Sequence, residues 1–247
     1  MRRLLALGLL LAAPAWAAVD AADYHQFWLW GGVRPQAALD RAEVVYVLQG
    51  EVGSPGQQAH FSREGAVPTY FPVDTLWLDY RVKSLDWSPA VVPSLRAQWR
   101  LWQDAHNSLT GIQIDFDART AHLDQYAAFL RWLKPQLPPG CKLSITGLLD
   151  WTQTGDVATL NALAGTVDEI VIQTYRGRQT VPDYARYLHS VMRLRIPFKL
   201  GLVQGGDWDT SWQPRFAQLP AYRGEVVFLL NPAQADSSPW RSRAGAW

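Results

Sequence analysis

The chain has 247 residues, a single cysteine (Cys141) and a net charge of only +1. One cysteine allows no internal disulfide, so the core alone must hold the fold together. A charge this balanced leaves no electrostatic footprint for a nucleic-acid partner. Several motifs are absent too. No Gly-x-Gly-x-x-Gly follows the first strand-like run, which argues against a dinucleotide-binding fold. No Gly-x-Ser-x-Gly elbow occurs, which argues against an α/β-hydrolase. His25, His60, His106, His122 and His189 are scattered, with no His-x-His or His-x-x-x-His pair. A zinc site therefore has no support; Asp115, Asp117 and Glu51 are the residues that could hold a hard cation such as Ca²⁺ or Mg²⁺, but no metal or other cofactor is expected.

The first residues do carry a signal. Met1-Arg2-Arg3 precedes an apolar run from Leu4 to Ala13, followed by Ala15-Trp16-Ala17, a small-x-small cleavage pattern. This predicts a secretory signal peptide over residues 1–17 and export to the periplasm or beyond. The apolar run is too short for a mature membrane anchor, and no cysteine at the cleavage site offers a lipid attachment. Roughly 230 residues then remain as one domain, 18–247.

Eight short β-rich runs follow: Tyr24–Trp30, Glu43–Gln49, Leu76–Val82, Gly111–Asp117, Lys142–Leu148, Glu169–Tyr175, Phe198–Gln204 and Glu225–Asn231. Four of the intervals have helical spacing: Ser94–His106, Ala121–Leu137, Asp156–Leu163 and Pro182–Leu194. Alternating strands and helices predict a parallel sheet. Eight units in this length predict an α/β fold of the (β/α)8 type. The segment Gly50–Pro72, rich in Gly and Pro, reads as a long loop over one end. Trp99, Trp102 and Trp132 fall on helical stripes and read as core.

The most informative run is Gly111-Ile112-Gln113-Ile114-Asp115-Phe116-Asp117. Side chains alternate along a strand, so Ile112, Ile114 and Phe116 share one face while Gln113, Asp115 and Asp117 share the other. Buried parallel strands are usually apolar on both faces, and burying carboxylates without partners is costly. In such barrels the active site lies at the C-terminal strand ends. That rule adds Asp79 and Arg81 on the third strand, Gln173 and Tyr175 on the sixth, Gln204 ending the seventh and Asn231 ending the eighth. Trp is abundant, with 13 residues; Trp28, Trp30, Trp151 and Trp208 lie near strand ends, and two of these four are expected to stack on a ligand.

Two carboxyls in one pocket can have their pKa values pushed apart, one becoming an acid at neutral pH. Glycoside hydrolysis uses such a pair most directly. The Cβ atoms of Asp115 and Asp117 lie about 6.5–7 Å apart by strand rise, along one strand rather than across a sugar. Asp117 then reads as an outer acid, with Asp115 beneath it as electrostatic partner. A nucleophile would come from the substrate or from another strand. The alternative for Asp115 is a buried ion pair with Arg81, with Lys199 as a further counter-charge. Gln113 is a plausible partner for Gln173.

The fourth strand resembles the Asp-x-x-Asp-x-Asp-x-Glu motif of glycoside hydrolase family 18 barrels. In register, Thr110 and Gln113 replace the first two Asp residues, Asp115 matches the third and Asp117 stands at the catalytic Glu. Gln173-Thr174-Tyr175-Arg176 resembles that family's Met-Thr-Tyr-Asp, with Tyr175 the match; the resemblance implies that Tyr175 helps hold the sugar. Over most of the expected mature chain the sequence is similar to the bacterial domain-of-unknown-function family 3142. That similarity rests on Ile112–Ala118 and on Leu143-Ser144-Ile145-Thr146-Gly147-Leu148 followed by Trp151, and it implies a glycosidase-like barrel. The expected function is an exported glycoside hydrolase-like barrel acting on a bacterial polysaccharide or peptidoglycan-type glycan. The alternatives are a carbohydrate-binding barrel without catalysis and an envelope polysaccharide assembly factor.

Overall fold

The alternation read in the fourth strand is the rule by which the whole sheet is built. The computed structural model describes residues 16–53, 58–117, 122–153 and 157–231. Eight parallel strands form a closed barrel: β1 Gln26–Leu29, β2 Val44–Gly53, β3 Thr75–Val82, β4 Leu109–Asp115, β5 Lys142–Leu148, β6 Glu169–Gln173, β7 Phe198–Val203 and β8 Tyr222–Phe228. Each pairs with the next in chain order, and β8 pairs back to β1. Closure leaves no unpaired edge among the eight, and the architecture is the predicted single-domain (β/α)8 barrel.

Helices cover the outer face. α1 Val91–Asp104 buries Val91, Leu95, Trp99 and Trp102 at helical spacing. α2 Leu123–Leu133 buries Leu123, Tyr126, Leu130 and Leu133. It passes into a 3-10 turn at Lys134–Gln136, because Pro135 has no N–H to continue the ladder. α3 Val157–Asn161, α4 Ala185–Val191 and α5 Gln213–Phe216 are shorter. Ile112 and Ile114 of β4 belong to this outer core, as do Leu143 and Ile145 of β5. Trp132 departs from its predicted core role: it is 48% exposed, edge-on to Trp87.

Several boundaries differ from expectation. Gly50–Pro72 is not all loop: β2 extends to Gly53, and His60–Arg63 returns antiparallel beside it. Pairing lets Val52 bury and sets Phe61 edge-on to Tyr80. β4 stops at Asp115 and β6 at Gln173, so Asp117 and Tyr175 lie just past the strand ends; Tyr175–Arg176 pairs with Gln179–Thr180 as a small hairpin on the rim. β8 ends at Phe228, short of Asn231. Trp16–Ala18 pairs with Asp207–Asp209, so the expected cleavage point after Ala17 falls within a paired strand. Of the other expectations, residues 1–15 of the signal peptide, Pro55, Gly56, Ala118, Ala121 and Asp156 lie outside the described residues.

The barrel interior is aromatic and polar rather than branched-aliphatic. Trp28, Tyr46, Trp77, Val171 and Val226 form its packed layer, with the Tyr46 and Trp77 rings stacked 5.8 Å apart. Glycine makes room for the indoles. A Cβ at Gly201 would lie 2.8 Å from Trp28, and one at Gly111 would lie 2.3 Å from Trp77. Toward the N-terminal end the polar groups form one chain. Trp28 Nε1 donates to Gln113 (2.5 Å), Gln113 donates to Ser144 (2.9 Å) and Ser144 donates to Glu169 (3.2 Å). Glu169 also accepts from Tyr46 and pairs with Lys199 at 3.0 Å, and Lys199 donates to Tyr46 at 2.8 Å. This network ties together six of the eight strands and satisfies groups that would be costly to bury alone.

Candidate active site at the C-terminal mouth

Above that layer, at the C-terminal strand ends, lies a cavity of about 730 Å³, within the size range of small-molecule sites. Asp115 and Asp117 enter it from β4 and Arg81 from β3. Trp30, Tyr175 and Phe228 form an aromatic wall on the other side. Phe228 stacks on Tyr175 at 5.6 Å, and Trp30 meets Phe228 edge-on at 5.2 Å. Trp28 touches Tyr175 from below, 6.3 Å between ring centroids. The wall presents flat apolar faces, the surface on which a sugar ring packs.

Asp115 is buried, and its Oδ1 accepts a 2.7 Å hydrogen bond from Thr146. Burial pushes its carboxyl up to about 6, opposed by the Thr146 bond, while Asp117 raises it further and the Arg81 guanidinium pulls it down. Asp117 is exposed at the rim of the cavity. Asp79 lies one strand away and is fully buried, with Oδ1 lacking any hydrogen-bond partner. Burial first, and Asp115 second, push Asp79 far above the usual carboxylate range; the Tyr80 amide, Arg81 and the Trp30 indole oppose them. The mouth thus holds two acidic groups able to carry a proton near neutral pH, stacked behind a third at the surface. That is the separation of acid roles that carboxyl chemistry needs.

Arg81 serves both carboxyls and sits over the Trp30 ring at 5.2 Å, a cation–π contact. Among the described residues it makes no direct ion pair with Asp115, so the alternative of a structural Arg81–Asp115 pair is not formed. Lys199 is inward, as expected, but its counter-charge is Glu169. Gln113 bonds Trp28 and Ser144 rather than Gln173. Gln173 lines the cavity beside Tyr175, whose phenol burial, and then Asp115, raise well above its ordinary pKa, with Gln173 opposing.

Of the residues expected at the mouth, Asp115, Asp117, Arg81, Trp30, Gln173 and Tyr175 come together there. Asp79, Gln113 and Trp28 lie beneath it, as support rather than as walls. Four do not join. Trp151 is buried against Tyr126, and Trp208 is buried and stacked on Tyr184; both follow a strand end but turn outward into the helical layer. Of the four tryptophans, only Trp30 faces the cavity. Gln204 bonds Gln36 and the Leu230 amide, and Asn231 bonds Arg34 and Gly32. Their polar groups are thus occupied in pinning loops. Sequence reasoning missed Phe228, which looks like an ordinary apolar strand residue, and Arg178, which sits in an unmarked turn. Thr146 appears in the sequence only as one residue of the Leu143–Leu148 run, and its bond to Asp115 was not legible there. Among the described residues no cluster of three His, Cys, Asp or Glu could hold a metal ion; Glu51 is ion-paired with Lys83 at 2.6 Å.

Residues 72–188, just under half of the chain, match the family described as domain of unknown function (DUF3142). The matched span contains β3 through β6 and most of the carboxyl-bearing mouth. No curated protein matches in sequence. Among solved structures, a xylanase–α-amylase inhibitor protein complexed with trehalose superposes with a TM-score of 0.53 at 15% identity, covering 83% of this chain and 93% of its own. Another form of that inhibitor gives 0.52 at 13% identity, over 83% and 93%. A spore cortex-lytic enzyme of Bacillus cereus gives 0.46 at 15% identity, over 72% and 49%. At these identities the likeness is one of fold, in keeping with the barrel resemblance drawn from the fourth strand.

Proposed function

We propose that this barrel is an exported glycoside hydrolase acting on a bacterial polysaccharide or peptidoglycan-type glycan. The observation that carries the reading is the meeting of Asp115 and Asp117 with the Trp30–Phe228–Tyr175 wall in one cavity. A sugar stacked on the wall presents its glycosidic oxygen to Asp117. Asp117 donates a proton to that oxygen as the C–O bond breaks. Asp115, with its carboxyl raised to about 6, lies beneath Asp117 as its electrostatic partner. Gln173 and Tyr175 orient the sugar. The nucleophile is a group of the substrate or a carboxylate from another strand; Asp150, just past the end of β5, is the third carboxylate that lines the cavity.

Purified Asp117→Asn tested against a glycan panel decides the acid role. The expected result is a loss of hydrolysis of roughly 100-fold or more, the usual scale of general-acid catalysis. Unchanged hydrolysis removes Asp117 from that role. Glycan binding without turnover in the unmodified protein establishes the binding-only reading instead.

A further inference from the structure

The mouth does not end at the first cavity. A second one, of about 420 Å³, opens beside it and is lined in addition by Val181, Pro182 and Tyr187. The two share Leu148, Asp150, Gln173, Tyr175 and Arg176 as walls. They therefore form one cleft running across the barrel mouth, long enough for more than one sugar ring.

Arg176 stands at the junction of its two halves. It is exposed, on the Tyr175–Arg176 arm of the rim hairpin. Its neighbours are committed: Arg178 donates to the Asn231 carbonyl at 3.1 Å, and Arg81 lies over Trp30 beside the carboxyls. Among the described residues nothing accepts from the Arg176 guanidinium. An arginine left with a free donor fork in a ligand cleft is suited to bidentate recognition of a planar anion.

From this arrangement we infer that the cleft takes an acidic oligosaccharide, one bearing a carboxylate on the sugar unit next to the Asp117 subsite, with Arg176 as its anchor. The inference rests on the glycan reading above and narrows its substrate class. Cleft and cation supply the two parts of the recognition. The aromatic wall binds any pyranose face, and Arg176 selects for the charged one. The Arg176 contact is exposed at the rim, so the preference weakens as salt rises.

Calorimetry with two matched pairs tests it: the N-acetylglucosaminyl–N-acetylmuramic acid disaccharide against N,N′-diacetylchitobiose, and tetragalacturonate against its carboxyl-reduced form. In at least one pair the carboxylated member is expected to bind at least 10-fold tighter at low salt. Arg176→Gln removes that preference, weakening the acidic ligand roughly 10- to 100-fold, while Arg176→Lys keeps part of it. Arg193→Gln, in a basic cavity on the opposite face of the barrel, leaves it intact. Equal binding within both pairs, or a preference that survives Arg176→Gln, overturns the inference. If neutral glycans are bound or cleaved without preference, only the acidic class falls; if no glycan binds, the hydrolase reading falls with it.

Discussion

The Thr146 hydroxyl donates to Asp115 Oδ1 at 2.7 Å, and this one bond opposes the burial that lifts the Asp115 carboxyl to about 6. A hydrogen bond to the ionised form lowers a carboxyl pKa, so its removal must raise it. With hydrolysis dependent on a proton held by the Asp115–Asp117 pair, kcat/KM falls as pH rises through about 6. Thr146→Val is expected to move this alkaline limb upward, and a pH–rate profile of the two proteins reads the shift. A limb that stays in place or moves down dissociates Asp115 from the profile.

Asp79 links the site to pH-dependent stability. Its native carboxyl is raised far above the unfolded value, so the folded state binds the extra proton. The associated stability is complete below the unfolded pKa, about 4, and is lost as pH rises toward the native one. Asp79→Asn keeps the shape but cannot ionise. Urea midpoints between pH 5 and 9 should therefore fall less steeply in the variant than in the parent. Parallel slopes would mean that Asp79 is not protonated in the fold.

Lys199 and Glu169 test the network in the barrel interior. The pair is buried at 3.0 Å, and truncating one partner leaves the other charge unpaired. Lys199→Met should cost about 3–5 kcal/mol in urea unfolding, whereas a double Lys199→Met, Glu169→Leu replacement recovers part of the loss. A single-variant cost below about 1 kcal/mol would show that the pair is dispensable.

Gly201 is needed for volume. A methyl group there would sit 2.8 Å from the Trp28 ring, which also carries the bond to Gln113. Gly201→Ala is expected to destabilise by about 1–3 kcal/mol, the cost of overpacking a filled core. Near-UV circular dichroism should change with it, as Trp28 is displaced.

The eight strands were legible in the sequence because each is a short β-rich run separated by helical spacing or by Gly and Pro. Period 2 in β4 also told which side chains share a face, Asp115 with Gln113 and Ile112 with Ile114; the structure turns the first pair inward and the second outward. Strand ends were less legible. Alternation continues past Asp115 to Asp117 and past Gln173 to Tyr175, whereas hydrogen bonding to neighbouring strands stops earlier. The hairpin at His60–Arg63 escaped notice because four mostly polar residues carry no period of their own.

What the sequence determined by itself was therefore the barrel and the acidic face of its fourth strand, since both follow from local periodicity along one stretch of chain. Partners between strands were decided only by the tertiary structure. Barrel closure brings Thr146 to Asp115, Trp28 to Gln113 and Phe228 to Tyr175 across 31, 85 and 53 positions. It also decided which tryptophans face a ligand. Trp30 and Trp151 both lie at strand ends, and only the direction in which the chain leaves the barrel sends one into the mouth and the other under the helices.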